Sequence, residues 1–142
     1  MNVPDDSGKM SGGDYARLAD FRYALRRFLQ FSEQAASTEG VTPVQHQALL
    51  VIRGREEGAT TIAVLAERLC LKHHTTVELA QRMEAAGLLV KLASATDRRA
   101  VILKLSDKGA RCLERLTAAH RAELRQIGPE ILQALKALTS DS

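Results

Sequence analysis

The stretch from Ala59 to Ser106 constrains this chain most, because its hydrophobic period changes from helical to strand-like within a short span. Ala63 to Leu69 repeats apolar residues at helical spacing, with Leu65, Ala66 and Leu69 on one side. Cys70-Leu71-Lys72 reads as a turn. His73 to Ala86 reads as a second helix, stopped by Gly87 as a C-terminal cap with Leu88 behind it. Leu88 to Ala93 and Val101 to Leu105 are then β-branched and aliphatic runs on either side of the polar segment Ser94 to Ala100, which predicts a hairpin. Thr60-Thr61-Ile62 has the composition of a very short strand. The expected fold class is mainly α with a small β-hairpin.

Charge concentrates in the same stretch. It holds seven Lys and Arg against four Asp and Glu, so the whole formal net charge of +3 lies there, while the rest of the 142 residues carries 13 of each sign. A clustered positive field is the electrostatic footprint of a phosphate binder, although a solvated basic face would give the same sum.

The flanks read as helices. Residues 1–13, rich in Gly, Ser, Asp and Pro, look like a flexible leader, and residues 14–142 like one domain. Asp14 is a candidate N-cap for a helix whose stripe is Leu18, Phe21, Leu25, Phe28 and Leu29, ended by Ser37-Thr38-Glu39-Gly40. Thr42-Pro43-Val44-Gln45 combines a cap hydroxyl, a first-turn proline and a glutamine three residues after the cap, the capping-box arrangement. Ala48, Leu49, Val51 and Ile52 supply the buried side of that helix. Ser106 opens a long helix with Leu113, Leu116, His120, Glu123 or Leu124, and Ile127 at seam-like spacing. Gly128-Pro129 is expected to break it, leaving Ile131, Leu132, Leu135 and Leu138 on a separate last helix. These outer patterns carry more apolar surface than two short helices and a hairpin need, which predicts a symmetric dimer.

Several function classes are excluded or weakened. The acidic N-terminus has no apolar run after it, which argues against a secretory signal, and no stretch approaches the ~18 apolar residues of a membrane span, so a cytoplasmic protein is expected. Cys70 and Cys112 lie far apart without a C-x-x-C, and their default reading is two small buried apolar residues in a reducing compartment. His73 and His74 are adjacent on a helix and diverge by about 100°, so they do not easily share a metal ion. No cofactor or metal site is signalled. No nucleophile-base-orienter set, phosphate loop or useful carboxylate pair points to an enzyme.

Two features of the central stretch point to DNA. In the second helix Thr76, Leu79, Ala80 and Met83 share one face and should pack inward, while His74, Val77, Glu78 and Gln81 face out, flanked by His73, Thr75 and Arg82. The outer set offers donors and acceptors for base edges and methyl groups for thymine, at a helix whose free N-terminal amides can meet phosphate. An ordinary solvated helix face is the bland alternative. At the hairpin tip Asp97 and Arg99 have the i, i+2 spacing by which a carboxylate can hold an arginine side chain for insertion into a narrow minor groove, with Arg98 pointing elsewhere. The bland alternative there is a surface salt bridge worth under ~1 kcal/mol.

Ala66-Glu67-Arg68-Leu69, the turn, the helix ending Arg82-Met83-Glu84-Ala85-Ala86-Gly87-Leu88-Leu89, then Asp97-Arg98-Arg99-Ala100 and Leu105-Ser106-Asp107-Lys108-Gly109, resemble the winged helix-turn-helix of the MarR (multiple antibiotic resistance regulator) family. The likeness runs from Asp14 to about Leu138 in helix order, with its specific motifs between Leu65 and Gly109. It implies a homodimeric, ligand-responsive transcription factor, usually a repressor, with residues 42–106 as the winged module and residues 14–39 and 107–138 as dimerisation helices. By the family pattern Asp97 orients Arg99 into the minor groove and His73 to Arg82 present the major-groove reader. The candidate DNA-binding set is Lys72, His73, His74, Thr75, Val77, Glu78, Gln81, Arg82, Lys91, Asp97, Arg98 and Arg99. The expected partners are palindromic double-stranded DNA, a second copy of the chain and a small aromatic or phenolic effector. Phe21, Phe28 and Phe31, first of all core or interface residues, are with His46 the candidate effector contacts. Lys72 and His73 stand where a Ser-Pro helix start is common, which leaves the recognition helix without a good side-chain cap and lets Lys72 reach a phosphate instead. Two alternatives stay open: a winged-helix module that binds protein, and a cysteine-based redox-responsive regulator of the same fold.

Overall fold

The computed structural model describes residues 8–140 except Arg98, so residues 1–7 of the expected leader and the Arg98 contact lie outside the described residues. The element order is α1 (Gly12–Thr38), α2 (Pro43–Gly54), α3 (Ile62–Leu69), α4 (His73–Ala85), β1 (Leu89–Ala93), β2 (Val101–Leu105) and α5 (Asp107–Thr139). The fold is mainly α with one antiparallel hairpin, as the pattern requires. The chain divides into two compact units, one formed by Ser32–Arg121 and the other by the residues up to Phe31 together with those from Ala122 onward.

In the Ser32–Arg121 unit, local chemistry sets each boundary. Thr42 caps α2 by accepting the Gln45 N–H at 3.2 Å, and the Gln45 side chain returns the favour to the Thr42 N–H at 3.1 Å. Thr61 caps α3 by accepting the Val64 N–H at 3.3 Å. At the end of α1, Gly40 takes φ +75° while Val41 and Gly40 donate to the carbonyls of Ala36 and Ser37, a Schellman closure. Gly87 closes α4 in the same way, with Leu88 donating to Met83 and Gly87 to Glu84. The expected strand at Thr60-Thr61-Ile62 shrinks to one bridge, Thr61 to Ile102, because Ile62 is already the first residue of α3. β1 and β2 pair in the register Leu89 with Leu105 through Ala93 with Val101. Leu49, Leu65, Met83, Leu89, Leu103 and Leu116 are completely enclosed and join these elements into one apolar core.

In the other unit, Ser11 rather than Asp14 caps α1: its hydroxyl accepts the Asp14 N–H, and the Asp14 carboxylate accepts the Ser11 N–H at 2.8 Å. Arg27 makes a two-oxygen contact with Glu130, at 3.0 and 3.2 Å. The expected break at Gly128-Pro129 does not occur; α5 is one helix of 33 residues with Pro129 inside it. Proline removes one N–H from the ladder and crowds the preceding turn, which a long helix can absorb at an exposed position. The apolar spacing gives the reason for continuity, because Leu124, Ile127, Ile131 and Leu135 keep their phase straight across the proline.

Candidate nucleic-acid interface

The helix α4 divides as its periodicity dictates. Thr76, Leu79, Ala80 and Met83 are buried, and the Thr76 hydroxyl is tied back to the Lys72 carbonyl at 2.9 Å. On the other side His73, His74, Glu78, Gln81 and Arg82 are exposed, with Thr75 and Val77 half-buried at the border. Lys72 occupies the N-cap position in extended conformation and makes no side-chain cap bond. The first amides of α4 therefore have no side-chain acceptor at the cap, and Lys72 at that cap is exposed. This combination suits an anion.

α4 is held against α3 by a turn of unexpected chemistry. Cys70 adopts the left-handed conformation, φ 55° and ψ 41°, and is the one non-glycine residue with positive φ among the described residues. The Cys70 and Leu71 N–H groups donate to the carbonyls of Glu67 and Ala66 at 3.1 and 2.9 Å. Cys70 is exposed, which corrects the expectation of a buried cysteine: it lies in the expected turn, just past the end of α3, where the chain reverses. Cys112 is buried, and burial, with the Glu39 carboxylate adding to it, pushes its thiol pKa up.

The wing tip is ordered by a network that the sequence reading missed. Asp97 accepts the backbone N–H of Arg99 at 3.0 Å, so it fixes the arginine through the main chain and not through the guanidinium that the spacing suggested. Ser94 N–H donates to the Ala100 carbonyl, Ala100 N–H to the Asp97 carbonyl, and the Ser94 hydroxyl accepts the N–H groups of Thr96 and Asp97. Asp97 and Arg99 are both exposed at the tip. The base of the wing is fastened to its neighbours as well. Leu103 N–H donates to Thr60 O, the Ser106 hydroxyl donates to Gly87 O while accepting the Gly109 N–H, and Lys108 Nζ reaches Ala86 O at 2.8 Å. A Cβ on Gly109 would lie 2.0 Å from the Leu88 carbonyl oxygen, so only glycine permits α5 to start this close to β1. The Leu-Ser-x-x-Gly motif carried that signal; the hydrogen-bonded partners needed the fold.

Of the other candidate residues, Lys91 lies 3.8 Å from Glu84, so its charge is partly engaged within the module. Lys104, outside the candidate set, pairs with Glu57 at 2.5 Å, which raises the lysine pKa and lowers that of the glutamate. His46 is buried on α2, its ring 4.7 Å from that of His120 on α5. His120 is tied to the Leu116 carbonyl at 2.6 Å and to the Ser32 hydroxyl at 2.7 Å. A carbonyl only accepts, so Nδ1 carries the proton there and, in the neutral ring, Nε2 receives the serine hydroxyl. Burial lowers the His46 pKa, and the neighbouring His120 lowers it further. Phe21, Phe28 and Phe31 are half-buried on α1. Among the described residues there is no cluster of three or more His, Cys, Asp or Glu at metal-binding geometry and no helix long and apolar enough to cross a membrane.

Comparison with known proteins converges on this module. A family model described as MarR family matches residues 39–100. A Thauera aromatica protein assigned as a transcriptional regulatory protein for the hcr operon is 31% identical over 79% of this chain and 73% of its own length. The HTH-type transcriptional repressor MdtR of Bacillus subtilis (strain 168) is 26% identical, covering 74% and 69%. Among solved structures, the MarR family regulator AbsC of Streptomyces coelicolor superposes with a TM-score of 0.75 at 19% identity, over 91% of this chain and 90% of AbsC. An S. aureus MepR mutant bound to an oligodeoxyribonucleotide gives 0.67 at 19%, over 92% and 100%. CouR of Rhodococcus jostii RHA1 bound to p-coumaroyl-CoA gives 0.63 at 18%, over 82% and 87%. With the two-faced helix, the tied wing and a relative above 30% identity in agreement, the chain belongs to the MarR family of transcriptional regulators.

Proposed function

We propose that this chain is a homodimeric, sequence-specific DNA-binding repressor released by a small aromatic or phenolic effector. The division of α4 carries the reading: one face is closed on the core and the other presents His73, His74, Glu78, Gln81 and Arg82 to solvent, beside a basic wing. In this reading α4 enters the major groove and reads base edges, Lys72 and the free α4 amides hold phosphate, and Arg99 enters the minor groove. Residues 14–39 and 107–138 form the dimer frame, which sets two recognition helices about 34 Å apart, roughly one turn of a palindromic site. Exposed apolar side chains on α1 and α5, among them Leu18, Leu29, Leu132 and Leu135, favour a second copy of the chain. The repressor assignment follows MdtR, DNA binding follows the MepR complex, and a phenolic effector follows the CouR complex.

Selection of bound duplexes from a random library, with wild type and Arg99→Ala at two salt concentrations, tests the proposal. The expected result is an inverted repeat whose affinity falls by about 1–3 kcal/mol on Arg99→Ala and whose salt slope becomes shallower. Gln81 or His74 substitutions should change the preferred sequence instead. No enriched duplex at low salt, or an Arg99→Ala protein with wild-type affinity and slope, would overturn it.

A further inference from the structure

We propose that Ser94 is a positioning residue for DNA binding, its hydroxyl holding the wing tip in the conformation that aims Arg99 at the duplex. The inference rests on the DNA-binding reading above and concerns a serine whose hydroxyl bonds to other residues of the wing loop. Ser94 Oγ lies 3.3 Å from Thr96 N, 3.2 Å from Asp97 N and 3.2 Å from Thr96 Oγ1. It therefore gathers two successive backbone donors and one hydroxyl, the arrangement by which a serine imposes a turn on the residues after it. Asp97, held by its own N–H on Ser94, then accepts the Arg99 N–H at 3.0 Å. The order runs Ser94, Asp97, Arg99, each hydrogen-bonded to the next.

Position decides why this matters for binding more than for stability. Ala95, Thr96, Asp97 and Arg99 are exposed, whereas Ser94 is half-buried at the mouth of the loop, where its N–H also meets the Ala100 carbonyl. Removing the hydroxyl leaves Thr96 and Asp97 amides that water can reach, so the folded state loses little. What is lost is preorganisation: a wing that samples many conformations must be ordered when it enters the groove, and each newly fixed residue subtracts from affinity. Ser94 touches no base or phosphate in this account. It acts through Asp97 and Arg99.

The test is a double-mutant cycle on the duplex recovered by selection, with Ser94→Ala, Arg99→Ala and the pair, plus Ser94→Thr as the variant that keeps a hydroxyl. Ser94→Ala should weaken binding by about 3- to 10-fold per wing, the worth of one or two hydrogen bonds, with an unchanged melting temperature. In the Arg99→Ala background the same change should have almost no effect, and Ser94→Thr should retain wild-type affinity. Amide exchange without DNA gives a second readout: Thr96, Asp97 and Arg99 N–H groups should exchange several-fold faster in Ser94→Ala. A Ser94→Ala loss that persists in full without Arg99 overturns the positioning role, as does wild-type affinity for Ser94→Ala where Arg99→Ala binds weakly. If Arg99→Ala itself leaves binding unchanged, the wing reading fails and this inference with it, whatever amide exchange reports.

Discussion

The two units of this chain treat apolar surface in opposite ways. In Ser32–Arg121, apolar side chains from every element meet in a closed core, and Leu65, Met83 and Leu103 are 0%, 0% and 2% exposed. In the unit made from the start of α1 and the end of α5, only Ala24 and Ile127 are buried among the described residues, while Leu18, Leu29 and Leu132 are 49%, 57% and 54% exposed. The closed unit holds the proposed DNA-reading surface, and a reading head needs its helix and wing at fixed mutual geometry. The open unit instead presents rows of leucine and tyrosine along helices. Exposed apolar surface of that kind is expected to be covered by another copy of the same helices, in keeping with a dimer frame.

The sharpest way to break this contrast is to cut a cavity in the closed unit. Leu65→Ala should destabilise the fold by about 2–5 kcal/mol in denaturant titration, because it removes enclosed apolar groups and leaves a cavity that the closed core fills only in part. Next in size, Leu132→Asp should weaken self-association about tenfold or more, since a charge would be desolvated in an apolar contact. Sedimentation over a concentration series would measure it, with helicity by circular dichroism unchanged at high protein concentration. Equal loss of fold stability from both substitutions, with no change in association, would show that the exposed leucines have no partner and that the two units do not differ in kind.

A third prediction separates the units by pH. The His46 pKa is lowered by burial and by His120, so the folded protein resists a proton that the unfolded chain accepts. Stability should thus be undiminished above about pH 6.5, the ordinary histidine value, and should fall as the pH drops below it toward the depressed native value. Thermal melts of wild type and His46→Gln from pH 8 to 5 would measure this, the variant showing the flatter profile over that window. A parallel decline in both would place the sensitive group elsewhere.

What the sequence made legible follows from which interactions are periodic. The two faces of α4 and the burial of Leu65, Ala66 and Met83 repeat at 3.6 residues and could be read directly. Thr42 and Gln45 form their capping box because both partners lie within one turn of each other. Pro129 misleads because the helix-breaking tendency of proline is outweighed here by the unbroken phase of Leu124, Ile127, Ile131 and Leu135 around it. The wing depends on closure: Asp97 and Arg99 suggested a side-chain pair by spacing alone, but which atom the carboxylate meets is decided by the turn, and the turn by Ser94. Ser106, Lys108 and Gly109 were visible as a motif, yet their partners Gly87, Ala86 and Leu88 lie across the fold. The turn at Cys70-Leu71-Lys72 is legible, but the left-handed backbone of Cys70 is not, because that conformation is usually announced by glycine.

That cysteine supplies the smallest effect and the finest distinction within the closed unit. Gly40 and Gly87 end α1 and α4 at φ +75°, and Cys70 ends α3 with the same pair of backward hydrogen bonds but with a side chain at φ 55°. A left-handed L-residue costs roughly 1–2 kcal/mol. Glycine removes that cost while making the unfolded chain more flexible by about 0.4–1 kcal/mol. Cys70→Gly should therefore stabilise the protein by up to about 1 kcal/mol, a rise of a few degrees in Tm. Cys70→Ala should give no such gain, since it keeps the Cβ that creates the strain; Cys70→Val should melt lower, because β-branching crowds this conformation further. Were alanine to stabilise as much as glycine, the thiol and not the backbone would be the source of the cost. Were valine tolerated without loss, the strain in the turn between α3 and α4 would be too small to matter, and the placement of α4 would rest on its buried face alone.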